Sequence, residues 1–174
     1  MKSIPAIAVL AAVLLVAGCA SAPPQPAAPK PLTAATPEQM VAAIDAAAGS
    51  GEGELAVQPL RDPMVEDLRE QAQQARAQGR HDDAAAALDQ ALAIVADDPA
   101  LLQERAETAL LQRDFERAGQ LAERAFALGA QVGPLCRRHW ATIEQVRLVA
   151  GDAEGAASAR LQVDGCKVAG PNRF

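Results

Sequence analysis

The segment Gln78-Gly79-Arg80-His81-Asp82-Asp83-Ala84 is echoed by Gln112-Arg113-Asp114-Phe115-Glu116-Arg117-Ala118, so the closing alanine recurs at positions 84 and 118. A looser third copy, Ala150-Gly151-Asp152-Ala153-Glu154-Gly155-Ala156, brings it back at position 156. Recurrence at a period of this size marks stacked supersecondary units, none of which can bury its apolar face alone. On either side of the first echo, apolar residues recur at helical spacing: Met64, Val65, Leu68, Ala72 and Ala75 before it, Leu88, Ala91, Leu92 and Val95 after it. Gly79 supplies a left-handed stop between them, and Asp82-Asp83 place negative charge at the start of the return helix. Asp97-Asp98-Pro99 resets the direction. Leu101, Leu102, Ala106, Ala109 and Leu110 then repeat the outgoing face, while Ala118, Leu121, Ala122, Ala125 and Phe126 repeat the returning one. Gly129 and Gly133-Pro134 close the second unit. The pattern predicts an all-α stack of about three helix-turn-helix hairpins over residues 64–166, followed by a tail at 167–174.

Composition constrains how such a stack is packed. The chain has 174 residues, 50% hydrophobic but only 2% aromatic, so its core must come from helices that approach closely through small side chains. Its 22 acidic side chains outnumber its 16 basic ones, and an export leader would remove Lys2 as well. A net negative surface without a basic stripe repels nucleic acid and anionic headgroups, which sets nucleic-acid recognition aside.

Met1-Lys2-Ser3 followed by the apolar run from Ile4 to Ala17 has the form of an export signal over residues 1–18, too short to span a bilayer comfortably. Its end, Val16-Ala17-Gly18-Cys19, resembles the bacterial lipobox, in which the cysteine is lipidated and becomes the first residue. The alternative is an ordinary secretory cleavage with Cys19 incidental. The resemblance implies a membrane anchor through acyl chains on Cys19, and Ala20 lacks the aspartate of inner-membrane retention, so it also implies the outer membrane, facing the periplasm.

Residues 19–63 read as a tether. Ala20 to Leu32 is too rich in proline for helix and too poor in large apolar groups for a core. Thr36-Pro37-Glu38-Gln39 announces a short helix near residues 37–48, stopped by Gly49-Ser50-Gly51. Its apolar face, Met40, Val41 and Ile44, is weak and leaves two readings open. The helix either packs on the repeats or only punctuates the tether, and the weakness favours the second. Fully stretched, the chain from Cys19 to Met64 could reach roughly 150 Å, and as a coil nearer about 40 Å.

The repeat block resembles tetratricopeptide (TPR) repeats. Leu68, Ala72, Ala84, Leu88 and Ala91 fall on that family's packing positions in the first unit, and Leu102, Ala106, Ala118, Ala122 and Ala125 in the second. Trp140 opens the third, but Glu144, Arg147 and Arg160 occupy positions where small or apolar residues are expected. The resemblance implies a concave groove lined by the first helix of each hairpin. Its matching positions carry Arg69, Gln73 and Arg76, then Gln103 and Glu107, then Arg138 and Gln145, charged and amide groups able to hydrogen-bond a protein partner. Taken singly, each of these residues fits an ordinary solvated helix face better.

With Cys19 lipidated, Cys136 and Cys166 remain as an even pair in an oxidising compartment. Gly151 lies midway between them in the sequence, so two antiparallel helices bring them level at the open end of the third hairpin. A disulfide is expected there, against the alternatives of two free buried thiols or, less well supported, a zinc site with His139 that would lack a fourth ligand. No nucleophile, metal set or phosphate loop stands out, because His81 and His139 lack partners at recognisable spacing and the acidic pairs sit where helix starts want them. No catalytic residue, metal or cofactor is expected.

Lipobox, proline-rich spacer and a small TPR-like domain together resemble outer-membrane lipoproteins that activate class A penicillin-binding proteins. That resemblance implies a scaffold docking a periplasmic or inner-membrane partner, a peptidoglycan synthase. A scaffold for outer-membrane assembly or secretion machinery would use the same groove. An envelope peptidoglycan hydrolase is the reading of another class, and the missing catalytic set argues against it.

Overall fold

A computed structural model describes residues 29–49 and 62–167. The expected leader at 1–18, the expected lipidation site Cys19, most of the glycine-rich stretch before Asp62 and all but Lys167 of the tail lie outside the described residues. Among the described residues there are seven α-helices and no strand: α1 Pro37–Ala48, α2 Pro63–Ala77, α3 His81–Ile94, α4 Pro99–Leu111, α5 Phe115–Leu128, α6 Gly133–Val149 and α7 Ala153–Gly165. None is long and apolar enough to cross a membrane.

The three echoed segments are three copies of one turn. Gly79, Arg113 and Gly151 occupy the same place in it, with φ of 72°, 63° and 76°. In each, the left-handed residue donates to a carbonyl three residues back (Gly79 to Arg76, Arg113 to Leu110, Gly151 to Leu148), and the next residue donates five back (Arg80 to Ala75, Asp114 to Ala109, Asp152 to Arg147). This paired pattern satisfies the orphan carbonyls at a helix end and reverses the chain. Arg113 tolerates a conformation that suits glycine better, whereas Gly151 has no choice. A Cβ there would lie 2.7 Å from the Lys30 carbonyl oxygen and 2.8 Å from the Pro29 ring. Two of the return helices start on an aspartate cap, Asp114 accepting from the Arg117 amide and Asp152 from the Gly155 amide; α3 has no side-chain cap.

Hairpins α2–α3, α4–α5 and α6–α7 stack in chain order, with α3 against α4 and α5 against α6. The small-residue expectation holds: Ala72, Ala75, Ala84, Ala91, Ala106, Ala109, Ala118, Ala122 and Ala125 are all buried. At Gly119 an added Cβ would meet the Val146 side chain at 3.2 Å, so α5 and α6 approach through that glycine. The residues that depart from the TPR pattern in the third hairpin are compensated by charge. Glu144 on α6 accepts from Arg160 on α7 at 2.9 and 2.5 Å, and Arg147 pairs with Glu123 at 3.2 Å and Asp152 at 3.3 Å. At the open end Cys136 and Cys166 form a disulfide with Cα atoms 5.8 Å apart, which removes both from any metal set.

The lean toward α1 as mere punctuation is reversed. Helix α1 begins with the expected capping box, the Thr36 hydroxyl accepting from the Gln39 amide and the Gln39 side chain accepting from the Thr36 amide. It then packs on α6 and, to a lesser extent, α4. Met40, Val41 and Ile44 are buried in one cluster with Ala109, Leu110 and Ala141, and Val146 and Val149 pack against it. Three apolar residues suffice because the surface receiving them is itself apolar. The helix runs antiparallel to α6. Upstream, the Leu32 amide donates to the Leu148 carbonyl at 2.8 Å, and at its far end the Arg137 guanidinium donates to the Ala48 carbonyl at 3.0 and 2.6 Å.

Candidate functional site

The first helices of the hairpins, α2, α4 and α6, lie side by side, and most of the residues expected on their shared face converge on one another. Arg69 of α2 reaches Glu104 of α4 through its Nε at 3.1 and 3.2 Å, with a further short contact through Nη2, and holds Glu66 at 3.0 Å. Arg76 approaches the Glu107 carboxylate at 3.4 Å. From α6, Arg138 grips the same carboxylate with two parallel bonds, 2.6 Å to Oε1 and 2.7 Å to Oε2, and extends a third contact of 2.7 Å to Asp45 of α1. A fork of this kind fixes both partners in angle as well as distance.

Gln103 lies one turn before Glu107, and both are fully buried. The Gln103 amide nitrogen donates to Glu107 Oε1 at 2.9 Å and to the Thr142 hydroxyl at 2.8 Å. Its oxygen is 2.7 Å from His139 Nδ1. Because the Gln103 oxygen can only accept, His139 donates from Nδ1, which leaves Nε2 as the unprotonated nitrogen. That Nε2 is buried without a hydrogen-bond partner among the described residues, facing the Gly129 backbone. Burial pushes the His139 pKa down to about 4; the Glu107 carboxylate opposes that shift and the Arg138 charge adds to it. Burial pushes Glu107 up, but hydrogen bonds and charge from Arg138, with Gln103 and Arg76 behind them, outweigh it and hold the carboxyl below its ordinary value.

Gln103 and Glu107 are therefore the buried floor of the face rather than solvated groups on it. What remains accessible is a recess of about 190 Å³ lined by Gln73, Arg76, Ala100, Gln103, Glu104, Leu135 and Arg138. Arg69 flanks it, while Gln145 is half-buried farther along α6. The α6 part of the face, beyond Arg138, carries α1. On the opposite side, Phe126 and Trp140, with ring centroids 4.7 Å apart, line a second recess of about 340 Å³ with Ile143, Glu123 and Arg147.

Sequence reasoning missed Asp45, Ala48, Arg137 and the partner of His139. A signal for the network was present: Gln103 and Glu107 are spaced four apart on one helix, and Arg138 and Thr142 four apart on the next. Stacked hairpins set such pairs face to face. Nothing local signals Asp45, which meets Arg138 only because α1 folds back. Among the described residues no group of three or more histidines, cysteines and carboxylates could hold a metal ion.

No family model matches the chain, and no curated protein matches it. A solved structure does: the globular C-terminal domain of P. aeruginosa LpoP superimposes with a TM-score of 0.57 at 32% sequence identity, over 60% of this chain and 99% of that one. Identity at that level across the whole of the compared domain accompanies a shared arrangement of helices, and the chain belongs to the family of the LpoP C-terminal domain.

Proposed function

We propose that this protein is a lipid-anchored periplasmic scaffold of the outer membrane that docks a class A penicillin-binding protein and activates its peptidoglycan synthesis. The similarity to the LpoP domain carries this reading. The lipobox ending at Cys19, the proline-rich tether and the exposed groups around the α2–α4 recess support it. The protein does no chemistry itself. Binding the active conformation of the synthase more tightly than the resting one shifts the partner's equilibrium by that difference in affinity.

The contact residues are Gln73 and Arg76, which line the recess, and Arg69, which is bonded to the lining residue Glu104; their loss leaves Arg138 still gripping Glu107. Replacing Gln73 and Arg76 together by alanine in the full chain, then crosslinking in living cells and tagging the synthase with a fluorescent penicillin, tests this reading. Loss of interface anchors of this kind weakens binding by about tenfold or more. An undiminished crosslinked adduct sinks the assigned surface, and no adduct with the unaltered protein sinks the partner.

A further inference from the structure

Helix α1 shows what the α4–α6 part of the face accepts. It is an amphipathic helix with apolar residues at Met40, Val41 and Ile44, a carboxylate at Asp45 opposite Arg138, and a C-terminal carbonyl, Ala48, held by Arg137. We propose that α1 is a removable occupant of this trough, and that the partner docks by supplying a helix of the same chemistry in its place. This rests on the reading above that the first-helix face is where the partner binds.

Three observations make α1 removable. Its contacts are concentrated on α6 and, more weakly, α4, so its departure leaves the hairpin interfaces α2–α3, α3–α4, α4–α5, α5–α6 and α6–α7 intact. The polar floor closes without it: Glu107 keeps Arg138, Arg76 and Gln103, and the carboxylate that leaves, Asp45, is itself half exposed. Arg137 is the buried charge that gives up its bonds to the Ala48 carbonyl, and the incoming helix must offer an acceptor in the same place. Finally, α1 has 12 residues, too few for an isolated helix to persist in water, so its order depends on three large apolar side chains and two arginines. A longer partner helix carrying the same face holds its shape without them. Release also returns residues 29–49 to the tether, lengthening its stretched reach by roughly 70 Å at about 3.4 Å per residue.

The probe is a fluorescent peptide of residues 33–49, titrated by anisotropy onto the full chain and onto the full-chain variant Ile44→Asp. A carboxylate at the fully buried position 44 expels the resident helix. If the trough is open a tenth of the time or less in the unaltered protein, the variant binds the peptide about tenfold or more tightly. Asp45→Arg, which sets like charge against Arg138, gives an intermediate gain. A peptide itself carrying Ile44→Asp shows no binding to either. Equal affinity for both proteins, or no binding to either, overturns the proposal. So does loss of cooperative unfolding of the hairpin stack in the variant, since α1 would then be a fixed wall of the domain. In cells, the penicillin-tagged adduct rises in Ile44→Asp if the partner's helix takes the trough. An unchanged or reduced adduct overturns the exchange while leaving the docking surface of Gln73 and Arg76 standing.

Discussion

Between α2 and α3 the buried side chains are Val65, Ala72, Ala75, Ala84, Ala87, Leu88 and Ala91, and Leu101 of α4 joins them; not one is polar. On α4 and α6 the molecule buries Gln103, Arg105, Glu107, Thr108, Arg137, His139, Thr142 and Glu144. Apolar contact is non-directional, so the inside of the first hairpin fixes proximity alone, and its orientation to α4 is left to polar contacts at its edge such as Arg69–Glu104 and Arg105–Asp89. A closed hydrogen-bonded network accepts one geometry only, and each member left unpaired costs more than the bond contributed. The difference teaches where the molecule fixes position rather than mere proximity. The seam that sets the angle between the second and third hairpins is the floor on which α1 lies and beside which the open recess begins.

The largest expected effect comes from Arg138→Ala, which leaves the buried Glu107 carboxylate with only the longer Arg76 contact among its charged partners. A loss of about 3 to 5 kcal/mol in urea unfolding is expected, as for a buried pair broken on one side. A loss below about 1 kcal/mol, the size expected of a solvated pair, would mean the carboxylate simply takes up a proton, and the seam is then no more demanding than the first hairpin. Next comes the bridge. Replacing Cys136 and Cys166 by serine opens a loop with a sequence separation of 30, worth about 3 to 4 kcal/mol in the chain-entropy picture. Hydrogen exchange should accelerate in α6 and α7 and stay unchanged in α2 and α3; uniform acceleration would show that the hairpins unfold as one unit.

The same contrast explains how much of the molecule could be read from its sequence. The hairpins were legible because alanine and leucine at helical spacing around Gly79 and its echoes carry their own evidence. The disulfide followed from helix rise and the even pair of cysteines. The fate of α1 was not legible: the worth of Met40, Val41 and Ile44 depends on Ala109, Leu110, Ala141, Val146 and Val149, which are apolar residues of other helices and signal nothing about what covers them. Gln103 and Glu107 were recognised as groove positions, yet whether a polar residue on that face meets water or Arg138 is decided by the neighbouring hairpin. Glu144 and Arg160 looked like departures from the repeat and prove to be each other's partner across α6 and α7.

Acid should act on the seam before it acts on the first hairpin. His139 has a folded pKa near 4 and an unfolded value near 6.5, so above pH 6.5 it is neutral in both states and its full contribution is present. As the pH falls below 6.5 the unfolded chain takes up a proton that the folded one refuses, and stability drops until about pH 4. Between pH 7 and pH 5 the loss is about 2 kcal/mol. Glu107 adds a loss at lower pH, which begins as the unfolded carboxyl takes up a proton and is complete once the depressed folded one does. Urea unfolding at both pH values, in the unaltered protein and in His139→Gln, checks the assignment: the variant should lack most of the drop, and an equal drop in both removes His139 as its source.

The smallest effect belongs to the charges that stand outside the seam. Arg147 bridges Glu123 of α5 and Asp152 at the start of α7, but all three side chains are more than a third exposed. Water screens such a pair and its long side chains lose freedom in forming it, so Arg147→Ala should cost less than about 1 kcal/mol. That small cost should shrink further in concentrated salt, where charges a few ångströms apart are already screened. Charge content alone would rank this pair beside Arg138–Glu107. A loss as large as that of a buried pair, and unaffected by salt, would place part of the third hairpin's stability on its surface and move the boundary between buried networks and solvated ones.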